Sequence, residues 1–193
     1  MAVLHCEERP RFSFHRGSLA LDFVGTVGGR ASPSPEERLP DPAALSAWLG
    51  EAGFPIPARV DEGDLEEARA LREALFQLAT DALEGRRSGR AALARVNAAA
   101  RGVRHGALVL GADGRRAWAA DDAVRLALGR VAEDGILVLS DSRDRLARCE
   151  LPGCGALLLS RSRSDRRRWC SMETCGNRAK VAAFRARQKA RGD

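Results

Sequence analysis

Cysteine placement is the strongest constraint on what this chain can fold into. Four of its five cysteines, Cys149, Cys154, Cys170 and Cys175, fall within 27 residues in the pattern C-x4-C-x15-C-x4-C. Two close pairs, separated by a stretch able to form strands and a turn, can place four thiolates at the corners of one tetrahedron, which is the arrangement of a structural zinc site. The competing arrangement, two disulfides, needs an oxidising compartment. The N-terminus (MAVLHCEERPRF) carries acids and no secretory apolar stretch, and no apolar run approaches the roughly 18 residues of a membrane span. Cytoplasmic location, reduced thiols and bound zinc are therefore expected together, with no membrane contact. A zinc held by four sulfurs has no open position for water or substrate, so its role is to hold a fold. Cys6 lacks a partner and is expected to be a free thiol without function.

Charge divides the 193-residue chain in two. Residues 145–193 carry 13 basic and 4 acidic side chains, whereas residues 1–144 carry 19 basic and 22 acidic ones. The C-terminal piece is thus suited to a polyanion, and the rest to something else. With 45% hydrophobic and 30% charged residues, disorder throughout is excluded, and the length allows one medium domain plus a small appendage.

Residues 18–27 (SLALDFVGTV) fit either a buried strand or a short helix ending at Gly25. The Gly-, Pro- and Ser-rich residues 28–40 read as a loop, after which Asp41 and Pro42 suit the start of a helix carrying Leu45, Trp48 and Leu49 inward. Asp64, with Glu67 three residues on, suits the start of a longer helix whose Leu65, Ala68, Leu71, Leu75, Leu78 and Ala82 recur at helical spacing. A third helix is expected from Ser88 to Arg101, with Leu93, Val96 and Ala100 inward. Asp113-Gly114 marks a hairpin between residues 103–110 and 115–120, with Val109 and Trp118 facing the helices and His105 an exposed strand residue. From Asp121 another helix carries Val124, Leu126, Leu128, Val131 and Ile136, although Gly129 and Gly135 weaken it. The expected fold class is α+β, mainly helical. Residues 1–142 form a helical domain with one β-hairpin, and residues 143–193 form a treble-clef-like four-cysteine zinc module with a basic C-terminal helix.

Within that module, residues 156–159 read as a strand, followed by an arch of serines and arginines that includes Arg167 and Arg168. The last ligand should start the terminal helix (GNRAKVAAFRARQKAR), which has strong helix formers and no proline. At helical spacing, Cys175, Ala179, Ala182, Ala186 and Ala190 share a small-residue face suited to lying on the knuckle. Arg178, Arg185 and Lys189 form a second line, and Lys180, Arg187 and Arg191 a third, with Val181 and Phe184 between them. Two cationic rails flanking a ridge suit a helix in a groove of duplex DNA. The same helix could equally be solvated, its Arg stems covering the ridge, or be docked on the N-terminal domain. Asn177 and Arg178 could read base edges, although Asn177 is as well suited to capping the helix or bonding a cysteine sulfur. Trp169 is expected in the core of the module rather than as a stacking platform.

The run RRRWCSMETCGNRAK from Arg166 to Lys180, preceded by CELPGCG at Cys149–Gly155, resembles the CGNR zinc finger. HRGSLALDFVGT at His15–Thr26 is similar to the opening of the ABATE domain, which precedes this finger in a family of stress-induced transcription regulators. The resemblance covers nearly the whole chain. It implies zinc on the four cysteines, DNA binding by the finger and no enzymatic activity. Where the family has LDFVNT this chain has Gly25, and Leu158, Ser160 and Ser164 replace its usual Phe, Asp and Asn between the cysteine pairs.

No phosphate loop, nucleophile elbow or histidine pair is visible. The polar set singled out in the N-terminal domain is His15, Asp22, Thr26 and Arg72, with Arg72 as partner to Asp22; it reads as buried scaffolding or as part of a ligand pocket. The expected function is a DNA-binding transcription regulator with structural zinc, whose N-terminal domain senses a small-molecule signal or forms a homodimer. The rival is a zinc-stapled module that binds protein or RNA.

Overall fold

The structure, a computed structural model, describes residues 12–162, 164 and 166–192, with side chains as far as residue 189. Cys6 and the side chains of Ala190 and Arg191 lie outside that range. Residues 18–27 resolve to helix α1 (Leu19–Val24), because the Ser18 hydroxyl accepts from the Leu21 amide and Gly25 ends the helix. A two-residue antiparallel ladder, β1 (Val27–Gly28) with β2 (Glu36–Glu37), closes the Pro- and Ser-rich loop. Helix α2 (Pro42–Glu51) starts where expected, the Asp41 carboxylate accepting from the Ala44 amide at 2.7 Å. Helix α3 (Glu62–Leu83) has its cap three residues before the expected Asp64. Asp61 is the N-cap, and Asp61 and Asp64 each accept from the other's backbone amide.

Helix α4 (Arg90–Ala100) runs through a 3-10 turn, Arg101–His105, into an antiparallel hairpin, β3 (Gly106–Leu110) with β4 (Arg116–Ala120). His105 thus lies in the turn, half-buried, with Nδ1 3.3 Å from Asp121, and not in a strand as expected. Helix α5 (Ala123–Asp141) follows, capped by Asp122. A second hairpin, β5 (Leu146–Arg148) with β6 (Leu157–Leu159), leads through a π-helical turn, Met172–Gly176, into α6 (Asn177–Gly192). The chain is mainly helical, with three two-stranded ladders among the described residues.

The core gathers α1, α2, α3 and α5 around Trp48, Phe23, Leu45, Leu71 and Val131, with the Phe23 and Trp48 rings 4.8 Å apart. Three residues expected inward face solvent instead: Leu93, Val109 and Ile136. The buried line of α4 is Ala92 and Val96, and Val109 opposes Ala117 on the hairpin face away from Trp118. Gly129 and Gly135 are sites of close approach. A Cβ on Gly129 would sit 2.5 Å from the Val103 nitrogen, and one on Gly135 would sit 2.4 Å from a Leu75 methyl. Both glycines cost helix propensity and are kept because another element lies against the bare Cα.

Strand β6 joins the helical body to the cysteine module. Side chains alternate along a strand, so Leu157 and Leu159 enter the helical core while Leu158 packs among Cys149, Cys175 and Trp169. The Leu159 amide also bonds to the Arg16 carbonyl at 2.7 Å.

Gly129→Ala tests the close approach. Alanine favours a helix over glycine by about 1 kcal/mol, yet here it meets backbone, so a net loss of about 1–3 kcal/mol is expected in urea unfolding. A gain in stability would show that the turn gives way.

Candidate metal centre

The four cysteines come from two knuckles. Cys149 directly follows β5, and the turn after it, with positive φ at Gly153 (79°) and Gly155 (63°), brings Cys154 back beside it. Gly155 also packs on the loop before β2; a Cβ there would lie 2.8 Å from the Ala31 nitrogen. Cys170 precedes the π-helical turn and Cys175 lies within it, and the Ser171 side chain caps the Thr174 amide at its start. Among Cys154, Cys170 and Cys175 the sulfur separations are 3.4–3.7 Å, and all four sulfurs lie within 4.8 Å of one another. A tetrahedron with metal–sulfur bonds of about 2.3 Å has edges of about 3.8 Å, whereas a disulfide needs about 2.05 Å. The donor set therefore fits one zinc and neither pairing as disulfides, and the four residues would hold it as a closed structural site. A hydrogen bond from Cys170 holds the Cys154 thiol down to about 5 and raises Cys170, while burial pushes Cys175 up to about 11.

Two of the arch arginines are occupied by the fold. Arg167 donates to the carbonyls of His15 (2.7 Å) and Cys170 (2.9 Å), tying the N-terminal segment to the metal knuckle. Arg168 pairs with Glu150 and lies 4.8 Å over the Trp169 ring, which packs in the module as expected. Asn177 donates its amide to the Glu173 carbonyl at 3.0 Å, bracing the step from π to α geometry. Beyond it the expected docking of the alanine face fails. Ala179 is half-buried, but Ala182 and Ala186 are exposed, so α6 stands away from the knuckle. Arg178, Lys180, Arg185, Arg187 and Lys189 are all exposed, and no ion pair ties them to other described residues.

The polar set of the N-terminal body divides. Arg72 does not meet Asp22; it forms a two-pronged pair with Glu37 (2.7 Å on both prongs), bonds Glu73, and donates to Thr26 at 3.2 Å. The β1–β2 ladder delivers Glu37 to that position, and burial, which works against ionisation, is outweighed by the Arg72 bonds that hold Glu37 below the usual carboxylate range. Asp22 instead accepts from the Arg16 amide at 2.8 Å, and burial pushes its carboxyl up to about 6. His15 is exposed and contributes its carbonyl. Glu37, Arg16 and the Arg30–Glu73 pair were not singled out from the sequence. The available signal was Arg72 itself, which stands at the inward helical spacing of Ala68, Leu75 and Ala79 and so needs a buried anion. The Arg16 guanidinium fills the space that a side chain at Gly25 would take, its carbon 2.1 Å from the position of a Cβ.

Fold and centre together define a helical protein with a four-cysteine zinc finger. The model of the ABATE family, described as "Putative stress-induced transcription regulator", matches residues 17–142, and that of the CGNR zinc finger matches residues 145–188. The chain belongs to the ABATE family and carries a CGNR zinc finger with structural zinc. Neither is an enzyme family. No curated protein matches the chain. No helix of the described residues is long and apolar enough to cross a membrane.

Two predictions follow from the shared strand and the buried acid. Stripping zinc, or Cys170→Ser, should lower the unfolding midpoint of the whole chain in one transition; a separate early transition with the main one unmoved would show that the helical body does not feel the metal. Because Asp22 is raised, the folded chain binds its proton more readily than the unfolded one, and stability falls as pH rises from about 4 through 6. Asp22→Asn should therefore help more at pH 7.5 than at pH 5, by about 1 kcal/mol, read from urea unfolding of zinc-loaded protein; an equal effect at both values refutes the assignment.

Proposed function

We propose that this protein is a cytoplasmic DNA-binding transcription regulator whose finger presents α6 to a groove of duplex DNA. The observation that carries this reading is the state of α6. It is a helix of 16 residues with cations exposed and unpaired on both sides of a ridge formed by Asn177, Val181 and Phe184. The major groove, about 12 Å wide, admits an α-helix and has a phosphate backbone on each side, so Arg178, Arg185 and Lys189 on one side and Lys180 and Arg187 on the other would meet both strands. Arg178 is the candidate for a base edge, since a guanidinium pairs bidentately with guanine. Asn177 is already bonded through its amide nitrogen and would position the helix. Arg167 and Arg168 would set the angle of the finger and add charge at its base. The zinc supplies on the order of 10–16 kcal/mol to a module too small to fold without it.

The N-terminal body would read the signal or bring two copies together. A chain with one reading helix per copy gains specificity when a pair of copies reads two half-sites. His15, Asp22, Thr26 and Arg72 belong in this reading to the frame of that body, because Arg72 and Thr26 share one buried network with Glu37. Val181 and Phe184, about half exposed, are what favours the rival, a finger that docks on an acidic protein.

Fluorescence anisotropy on zinc-loaded protein with genomic duplex fragments decides between them. With roughly 4–6 phosphates neutralised, log K should fall against log salt with a slope of about −4 to −5. Arg178→Ala with Lys180→Ala should shallow that slope by about 2 while leaving zinc content unchanged. Unchanged DNA affinity in the double variant refutes the assignment.

A further inference from the structure

The hairpin of β3 and β4 stands out from the helical body with little cover. Every residue of β3 except Gly106 is exposed, including Leu108, Val109 and Leu110, the last 79% exposed. Two strands of five residues form the whole sheet, and a sheet gains independent stability only with three or more. Its hydrogen bonds fix which groups point out. The Gly111 amide bonds to the Arg115 carbonyl and the Asp121 amide to the His105 carbonyl, so the residues bonded toward β4 are Ala107 and Val109. The amides and carbonyls of Gly106, Leu108 and Leu110 therefore face away, along an open edge. That edge carries none of the usual protections, having no charge, no proline and no bulge.

We infer that the β3 edge is a self-association surface whose occupant is the β3 edge of a second copy, forming a continuous four-stranded antiparallel sheet across a two-fold axis at Leu108. The sequence of the strand is suited to its own reversal. With Leu108 opposite Leu108 of the second copy, Leu110 falls opposite Gly106 and Val109 opposite Ala107, so large residues meet small ones. The outward groups are in phase, because Leu108 exchanges both main-chain bonds with its twin and Gly106 does so with Leu110, about six bonds in all. Charge agrees with the choice of edge. Continued past the strand, this register sets Arg104 opposite Ala112 of the second copy, one residue from Asp113, and both charged residues are exposed. The β4 edge, by contrast, carries a charge in Arg116, with Arg115 beside it. An edge of five residues is small beside the ~1,200 Å² of a stable interface, so the dimer is weak and sits at micromolar concentrations.

The dimer stands apart from the regulator reading; only its use, setting two α6 helices on two half-sites, rests on that reading. Its test therefore contains no DNA. Sedimentation equilibrium of the zinc-loaded full chain should show a monomer–dimer equilibrium. Leu108→Lys sets two ammonium groups opposite each other at the axis and should raise the dissociation constant about tenfold or more. Leu137→Lys changes an equally exposed leucine on α5 and should leave the constant unchanged. Circular dichroism and zinc content confirm that each variant is folded. A wild-type chain that stays monomeric at about 200 μM, far above the micromolar range of a weak pair, overturns the inference, whatever other strand the edge accepts. So does a Leu108→Lys dimer as tight as the wild type, or one weakened equally by Leu137→Lys.

Discussion

Three consecutive leucines buried on both faces of β6 govern how the two halves of this protein relate. Leu157 and Leu159 are part of the helical core and Leu158 is part of the cysteine cluster. A strand cannot rotate one face without rotating the other, because its side chains alternate with a period of two. The finger is consequently built onto the body rather than hung from a linker, and two further ties hold the same seam. The Leu159 amide meets the Arg16 carbonyl, and Arg167 bridges the His15 and Cys170 carbonyls. The direction of α6 is thus set by the position of α1. Wherever two copies associate, the spacing of their terminal helices follows from the bodies and not from tether length.

Arginine performs opposite roles at the two ends of the chain. In the body three arginines are covered by the fold: Arg72 is paired with Glu37, Arg30 with Glu73, and Arg16 is stacked over Gly25. A guanidinium suits this because its planar fork meets a carboxylate with two bonds at once. These pairs pin the β1–β2 loop to α3, and that loop in turn supports Gly155 of the first knuckle. On α6 the same residue type is left without an anion. Composition alone, with 30 arginines to 2 lysines, cannot separate these roles; position does.

What was legible from sequence was what depends on local spacing. The zinc ligands, the α2 cap at Asp41, the Asp113-Gly114 turn and the break at Gly25 all follow from residues within a few positions of one another. What was not legible depends on segments far apart in the chain. Arg72 had to choose between Asp22 and Glu37, and the choice was made by a two-residue ladder inside a stretch that reads as plain loop. Gly129 and Gly135 read as weak points because helix propensity counts only the local cost, while their value lies in what packs against them. The alanine face of α6 looked inward by periodicity, yet periodicity names a face without saying that anything covers it.

The standing of α6 raises a question of energy. An isolated helix of 16 residues is marginal in water, chiefly because its first turn is expensive to nucleate. Here that turn is fixed beforehand: Cys175 ligates the metal, the Ser171 cap holds the π-helical turn, and Asn177 ties back to Glu173. Alanine, arginine, lysine and glutamine then propagate it well. Against this stand six cations and no acid between Asn177 and Gly192, so pairs such as Arg185 and Lys189, one turn apart, repel by a few tenths of a kcal/mol each. No neighbour among the described residues relieves that repulsion. A polyanion lying along the helix would relieve it and would gain from the charge at the same time, so binding and helix stability would be coupled with the same sign. Metal at one end and a negative partner along the length are the two conditions under which this helix is at its most stable.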